Sequence, residues 1–551
     1  MKRLRRNLNF VGSLALILPL LITACSVSDG NPPEIPETAE AAQTILPDME
    51  ETAMPKEDLS KYFEGISLTE SHKNAGMNNP LMTQRFGADP YVISYGGRVY
   101  VYTTGDVAEY NSDGSVKDNS YSKIQTLNVI SSQDLINWTD HGWIQVNGSF
   151  GITGWGGNSW APAVAYKQID GKDKFFIYFA NNGNGIGVLT ADSPTGPFSD
   201  PLGHALIDRK TPNCANVKWL FDPAVLVDDD GRAYIYFGGG VPDGMAANPG
   251  TGRAAELGAD MISLACEPIV LDAPYLFEDS GINKIGGTYY YSYCTNFSVD
   301  KAGRTTFGIN NGEIAYMTSE SPLGPFEFKS SIYKNPGHYF GTSGNNHHCI
   351  FEHNGRYYIA YHAFLLQDRT GITGGYRSAN IDYVTVNDDG TIQPSDYTEK
   401  GTEPIGNLNP FAWVEASTIG RMAGIAVKYT GSRALFGEGD IVVSDIDTGD
   451  RITVYGADFK DGAKSFTARI IPPKNTAGII QIRAGTDNND EPVGYLKIEA
   501  DKNGDFVELR TELDKEIKGV NDITFVFYVE PEAESSDNFG GGLEFNSWRF
   551  E

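Results

Sequence analysis

The chain has 551 residues, enough for about two or three domains, and its 43 basic against 71 acidic residues give a formal net charge of −28. So acidic a balance excludes nucleic acid and anionic membrane surfaces as electrostatic partners and leaves neutral substrates open. The 29 tyrosines, 28 phenylalanines and 62 glycines suit an all-β protein with many turns, and aromatic surfaces are also what sugar binding uses.

In chain order the first element is an export signal. Lys2, Arg3, Arg5 and Arg6 precede an apolar stretch from Phe10 to Leu21 that is too short to span a bilayer comfortably. It ends in Ile22-Thr23-Ala24-Cys25, which resembles a bacterial lipobox. That implies lipidation of Cys25 and an extracytoplasmic, cell-surface lipoprotein held to the membrane by its lipid anchor only; an ordinary cleaved signal is the alternative. Residues 26–75 change to Pro, Glu, Thr and Ala, with NPPEIPETAEAAQ and PDMEETAMPKED, and read as a solvated acidic linker. The remaining cysteines, Cys214, Cys266, Cys294 and Cys349, are too few for a disulfide scaffold. A single bridge, with Cys294 and Cys349 in adjacent repeats, stays open.

From residue 76 to 400 one phrase returns five times: a polar start, an apolar run, a Gly-centred turn and a tyrosine-rich run. The copies are ADPYVISYGGRVYVYTT from Ala88, SWAPAVAYKQIDGKDKFFIYFA from Ser159, FDPAVLVDDDGRAYIYFGGG from Phe221, FEDSGINKIGGTYYYSYC from Phe277 and HHCIFEHNGRYYIAYH from His347. Each reads as a β-hairpin, because the runs have strand length and the turns carry Gly beside residues that tolerate positive φ. Starts at Asp89, Trp160, Phe221, Glu278 and His347 recur about every 55 to 70 residues, the period of a four-stranded propeller blade. A five-bladed β-propeller follows, with the hairpins as inner strands whose starts converge on one axis. The phrase SPxGPF, at Ser193 and Ser321, suggests a shared outer turn. GNGIG at Gly183 reads as a plain turn, and Asp228–Asp230 as a solvated hairpin tip. After NLNPFAWVEAST, residues 405–551 alternate as short strands with the spacing of a β-sandwich of jelly-roll type, expected to add affinity for polymer rather than chemistry, and to be dispensable for a small aryl glycoside if the two domains fold independently.

Convergent starts would gather Asp89, Asp222 and Glu278 in one cavity. Glycoside hydrolysis needs an acid to protonate the leaving oxygen and a second carboxylate as base or nucleophile, and a third can tune the acid. Taken singly, Asp89 and Asp222 are also ordinary Asp-Pro turn caps. Trp160, Phe221 and Phe297 are candidate sugar platforms or core aromatics. Arg377 would bond sugar hydroxyls or a catalytic carboxylate, or make a surface ion pair. His347 would hold a cation or its water shell, or be a satisfied buried histidine.

These phrases together, with WTDHG, GIGVLTADSP, WLFDPAV, APYLFEDSG, GNNHH, GYRS and NLNPF all in order, resemble glycoside hydrolase family 43, and within it the arabinoxylan arabinofuranohydrolases. The resemblance implies Asp89 as general base, Glu278 as general acid and Asp222 as the carboxylate that sets the acid's pKa and orientation. It also implies inversion of configuration, a cation, often calcium, near His347 or its neighbour His348, and no organic cofactor. The substrate it implies is arabinoxylan or a related plant hemicellulose from which terminal α-L-arabinofuranose is removed, by a protein expected to be monomeric. A β-D-xylosidase of the same family and a noncatalytic surface glycan-binding lipoprotein are the alternatives. The C-terminal segment is similar to carbohydrate-binding module family 6, but Arg451 follows Gly449-Asp450 where a Trp is usual. Asn546 stands for an Asp that helps bind calcium, and Ser417 replaces a Glu while Glu415 is kept; these departures tell against the module's sugar cleft and its calcium.

Overall fold

The computed structural model describes residues 57–485, 490–531 and 542–551, and these are almost wholly β. Residues 1–56, with the signal, Cys25 and most of the expected linker, lie outside the described residues. Five sheets follow one another along the chain. The first holds β1 (Ala88–Tyr95), β2 (Arg98–Thr104), β3 (Thr126–Ser132) and β4 (Trp138–Gln145), and the second β5 (Trp160–Ile169), β6 (Lys172–Ala180) and β7 (Ile186–Ala191). The third holds β8 (Ala224–Val227), β9 (Ala233–Phe237), β10 (Gly252–Leu257) and β11 (Ile269–Leu271). In the fourth are β12 (Leu276–Ile285), β13 (Thr288–Thr295), β14 (Ile314–Ser319) and β15 (Glu327–Tyr333), and in the fifth β16 (His348–His353), β17 (Arg356–Ala363) and β18 (Ser378–Val384). The first strands of successive sheets touch in a closed cycle, β1 to β5 to β8 to β12 to β16 and back to β1. That cycle is the five-bladed propeller.

The turns explain the hairpins. Gly96-Gly97, Asp170-Gly171, Gly286-Gly287 and Asn354-Gly355 all have positive φ at both positions, the two-residue turn whose twist suits adjoining strands. Both SPxGPF phrases share a cis Gly–Pro peptide, Gly196-Pro197 and Gly324-Pro325. The Asp228–Asp230 tip departs from expectation: Asp228 is buried, accepts hydrogen bonds from Lys284 Nζ and Tyr289 Oη at 2.5 Å each, and ties the third blade to the fourth.

Tyrosine has a structural use that its abundance alone did not reveal. Tyr102 Oη donates to Pro194 O (2.6 Å), Tyr178 Oη to Met261 O (2.7 Å) and Tyr236 Oη to Pro322 O (2.5 Å). Each hydroxyl reaches from the middle of one blade to the outer turn of the next, so these rings are packed and satisfied rather than sugar-facing. Among the described residues the four cysteines are free thiols, which removes the Cys294–Cys349 bridge.

The C-terminal strands are β19 (Val414–Glu415), β20 (Thr418–Ile419), β21 (Arg421–Ala423), β22 (Ala426–Tyr429), β23 (Ile441–Ser444), β24 (Arg451–Asp458), β25 (Ala463–Ile471), β26 (Gly478–Ala484), β27 (Pro492–Ile498), β28 (Val507–Ile517), β29 (Val520–Val529) and β30 (Glu544–Phe550). One sheet runs β22-β23-β30-β25-β28 with β19 on β30, the other β21-β24-β29-β26-β27, around a core that includes Phe466, Phe525, Phe545 and Trp548. β20 leaves the sandwich and joins the propeller, pairing Thr418 with Thr139 and Ile419 with Trp138 on β4. Asn137 and Tyr455 exchange two hydrogen bonds of 2.8 Å across the same joint. The sandwich and the first blade therefore share a sheet edge.

The spacer also ends earlier than residue 75. Tyr62 packs on Tyr528 and Phe63 on Tyr495, Thr69 Oγ1 donates to Asp450 Oδ1 (2.6 Å), and Ser71 Oγ to Met422 O (2.7 Å). Lys73 is buried where this segment, the propeller and the sandwich meet, with Nζ donating to Gly420 O (3.0 Å), Asn78 O (3.3 Å) and Leu81 O (3.4 Å). Burial, helped by Arg369 and Arg421, brings its amine down to about 7.

Candidate active site

The inner strands enter the axis through a kink. Pairing registers slip between Ala88 and Tyr91, Trp160 and Ala163, and Glu278 and Gly281, and the residues at the slip, Asp89, Ala161 and Asp279, take positive φ, as does Asp222. Such bulges re-aim side chains at functional sites. They also correct the repeat register. Asp89 corresponds to Ala161, Asp222 and Asp279, while Glu278 stands one residue earlier, level with Trp160 and Phe221. Two positions per strand thus feed the cavity, and Asp279 is a fourth buried acid missed in the sequence although it forms the Glu-Asp pair.

Asp89 is the most heavily held. Arg377 Nη1 donates to its Oδ1 (2.9 Å) and Thr104 Oγ1 to its Oδ2 (2.7 Å), while His362 Nδ1 lies 3.1 Å from both its amide nitrogen and Oδ1. Burial alone would raise this carboxyl, but Arg377, His362 and His347 outweigh it and keep Asp89 ionised well below the usual carboxylate range. Arg377 is 3% exposed, so the surface ion pair is excluded. Asp106 fixes it with a fork, Nε to Oδ2 at 2.9 Å and Nη2 to Oδ1 at 2.8 Å, and also accepts the Arg377 backbone N–H at 3.1 Å. Asp106 lies in the Gly-Asp phrase just after β2, where nothing local distinguishes it from a turn residue.

Asp222 and Glu278 form the opposite half. Burial raises Glu278, and the charges of Asp222, Asp89 and Asp279 raise it further; Asp222 is raised by burial and by Asp89. Asp222 Oδ2 accepts the Asp279 N–H at 3.1 Å, whereas Glu278 Oε1 has the longer Asn346 N–H at 3.3 Å. Both carboxyls of this half are thus raised, in contrast to the lowered Asp89 across the cavity. A lowered and a raised carboxyl in a single cavity are the pairing acid/base chemistry requires.

The fourth blade replaces its tyrosine with a histidine relay. Ser292 occupies the place of Tyr102, Tyr178 and Tyr236, and its Oγ meets His348 Nε2 at 2.7 Å while His348 Nδ1 meets Asp279 Oδ2 at 2.5 Å. Gly281 keeps the room, since a Cβ there would stand 2.4 Å from Ser292 Oγ and 3.1 Å from His348 Nε2. His347 lies among the acids, Nδ1 3.6 Å from Asp89 Oδ1 and 3.7 Å from Asp222 Oδ2, Nε2 3.3 Å from Asp279 Oδ1. Burial holds its imidazole down, against the pull of Asp279 and Asp89.

Direct carboxylate ligation of the expected calcium is crowded at these residues, which leaves His347 and a water shell as the way a cation would be held. Calcium takes six to eight oxygens, and each carboxylate oxygen facing His347 is already engaged, by Arg377, by the Asp279 N–H and by the His348 N–H. Among the described residues no group of three or more His, Cys, Asp and Glu is arranged for a metal ion. The sandwich position is equally committed, because Asn546 Nδ2 donates to Ile441 O (3.0 Å). The Gly449-Asp450-Arg451 turn is covered by the N-terminal segment, Thr69 N–H bonding Gly449 O at 2.9 Å.

Of the three aromatics, Trp160 and Phe297 keep accessible surface, while Phe221 is buried edge-on against Trp219 (5.3 Å) and serves as packing. Tyr121, not foreseen, joins them. Its ring lies 6.3 Å from Trp160 and 5.1 Å beneath the Arg377 guanidinium, and its carbonyl accepts the Trp160 Nε1–H at 3.1 Å.

Comparison with known proteins agrees with this geometry. The Glycosyl hydrolases family 43 pattern matches residues 77–392. An arabinoxylan arabinofuranohydrolase of Paenibacillus polymyxa is 44% identical over 492 residues, covering 87% of this chain and 75% of its own length. The enzyme of the same name from Bacillus subtilis (strain 168) is 43% identical over 493 residues, covering 87% of this chain and 93% of its own. The crystal structure of a Bacillus subtilis family 43 arabinoxylan arabinofuranohydrolase in complex with cellotetraose superposes with a TM-score of 0.80 at 43% identity, covering 88% of this chain and 99% of that one. With the carboxylates converging inside a five-bladed ring and the match spanning propeller and sandwich alike, the chain belongs to glycoside hydrolase family 43.

Proposed function

We propose that the protein is an α-L-arabinofuranosidase that removes terminal arabinofuranosyl branches from arabinoxylan with inversion of configuration. The observation that carries the chemistry is the contrast at the axis, with Asp89 bonded by Arg377 and held well below the usual carboxylate range while burial and the charge of Asp222 raise Glu278. The relatives named arabinoxylan arabinofuranohydrolase support the substrate. Asp89 takes a proton from water as its oxygen attacks the anomeric carbon. Glu278 gives its proton to the departing main-chain oxygen as the glycosidic bond breaks. Asp222 keeps the acid's pKa high and its orientation fixed.

Incubation with wheat arabinoxylan should release arabinose and little xylose, and proton NMR of the first-formed sugar should show the inverted anomer. Retained configuration would recast Asp89 as a nucleophile, and xylose as the main product would favour a β-xylosidase. A lipid anchor on Cys25 belongs to the same reading, supported by the Ile22–Cys25 phrase. Cys25→Ser should move the enzyme from the membrane fraction to the soluble one; equal retention would refute the anchor.

A further inference from the structure

The face that opens onto the carboxylates continues outward over the first blade. Because β1 to β4 alternate in direction, β4 ends at Gln145 on the same face where β1 and β5 begin. The following loop, residues 146–159, returns along that face to Trp160. Asn158 anchors it inward, donating from Nδ2 to the Tyr121 and Ser122 carbonyls at 3.2 Å. On this loop Phe150 is 48% exposed, and beside it the loop between β22 and β23 of the sandwich presents Leu435 at 66% and Phe436 at 41%.

Two independent parts of the chain thus bring apolar side chains together in water. The rings of Phe150 and Phe436 meet at 5.2 Å and 69°, and the Arg433 guanidinium lies 5.2 Å from the outer ring while paired with Glu438. The β22–β23 hairpin is docked firmly. Tyr429 Oη shares its one proton between His141 O (3.0 Å) and Trp143 O (2.9 Å), its ring meets Trp143 at 4.9 Å, and a Cβ on Gly437 would stand 2.7 Å from Trp143 O. Single exposed phenylalanines are unremarkable, but a cluster held by two domains on the substrate face marks a binding surface. The net charge of −28 disfavours an anionic occupant, and the exposed rings call for one that offers apolar faces. A pyranose chain does so through its C–H faces.

We propose that Phe150 and Phe436, flanked by Leu435, form a platform across the propeller–sandwich joint that holds the xylan main chain while a branch sits in the axial pocket. The idea rests on the arabinoxylan reading above. Phe150 follows the fourth strand of the first blade and Phe436 belongs to the sandwich, whereas the carboxylates sit at the inner strands, so the platform touches main-chain sugars away from the bond that breaks and acts on polymer alone.

The test uses the full chain carrying Phe150→Ala and Phe436→Ala together, both exposed and neither near the carboxylates. On arabinoxylan kcat/KM should fall about 5- to 20-fold, mostly through KM, with nitrophenyl arabinofuranoside hydrolysis unchanged. Unchanged polymer kinetics, or equal losses on both substrates, would overturn the platform. Electrophoresis of Glu278→Ala protein through gels containing debranched xylan gives a readout free of catalysis. Retardation that disappears with the two rings upholds the platform even if the wild type fails to release arabinose, which would sink only the functional reading. Retardation unaffected by the substitutions, or a dimer in sedimentation that becomes monomeric with them while xylan still retards the protein, would show a self-association face and refute the proposal.

Discussion

Arg377 shows how one side chain decides the state of another. Its guanidinium has two carboxylates within hydrogen-bond reach, and the Asp106 fork leaves Nη1 aimed at Asp89. Lysine would not serve, because a point charge cannot hold both acids at fixed angles. Asp89 is buried, so without the cation its carboxyl would rise rather than fall. A general base must be ionised to work, so a raised Asp89 moves the acid limb of the rate profile to higher pH. Arg377→Gln should shift the acid limb of kcat/KM upward by about one to three pH units and lower the plateau. A lowered plateau with an unmoved limb would show that Arg377 binds sugar and leaves Asp89 alone. Asp106 is then a positioning residue, acting through Arg377 and not on substrate.

At the level of elements, the bulge and the added strand do the work. A regular β-strand would send Asp89 and Asp279 to one face and Glu278 to the other. The positive-φ residue lets acids at two adjacent positions reach one cavity. β20 plays the complementary part outside, extending the first blade by two residues and covering its edge, which otherwise would offer unpaired backbone groups. Gly420 follows it, where a Cβ would stand 2.3 Å from the Tyr455 ring and 2.8 Å from Asn137 Oδ1. Gly420→Val should cost about 1–3 kcal/mol by overpacking, read as a lower urea midpoint, with the kinetics of the folded enzyme unchanged. No loss of stability would mean that the joint is loose.

Across the whole molecule, the ring closes through the chain before β1 as well as through side chains. Leu81 N–H bonds Ala379 O at 2.9 Å and Asn79 Oδ1 accepts the Ile381 N–H at 2.9 Å, so residues 79–81 line the outer side of β18. The same stretch continues back through Lys73 to the sandwich, which makes propeller, sandwich and N-terminal segment one packed unit. Removing residues 402–551 would uncover β4, Trp143 and the Lys73 amine together. The truncated chain should lose soluble yield and, with it, hydrolysis of the aryl glycoside; a soluble, active propeller would show that the joint adds contact without support.

Much of this was legible in the sequence, for local reasons. Two-residue turns such as Asn354-Gly355 have a strong chemical signature, which made five hairpins and their order readable, and with them the starts at Asp89, Asp222 and Glu278. The family phrases carried the roles beyond that. What needed the tertiary structure depends on residues far apart in the chain. Asp106 and Arg377 are separated by 271 positions, and Asp279 and His348 by 69. Tyrosine hydroxyls could be assigned to blade joints only once the next blade's turn was in place. The platform of Phe150 and Phe436 and the shared strand β20 depend on how two domains dock, which no local pattern encodes. The sequence by itself determined where strands begin and turn, because φ preference and side-chain period are local; the charge on each carboxyl was decided by the fold, because burial and the nearest counter-charge exist only after packing.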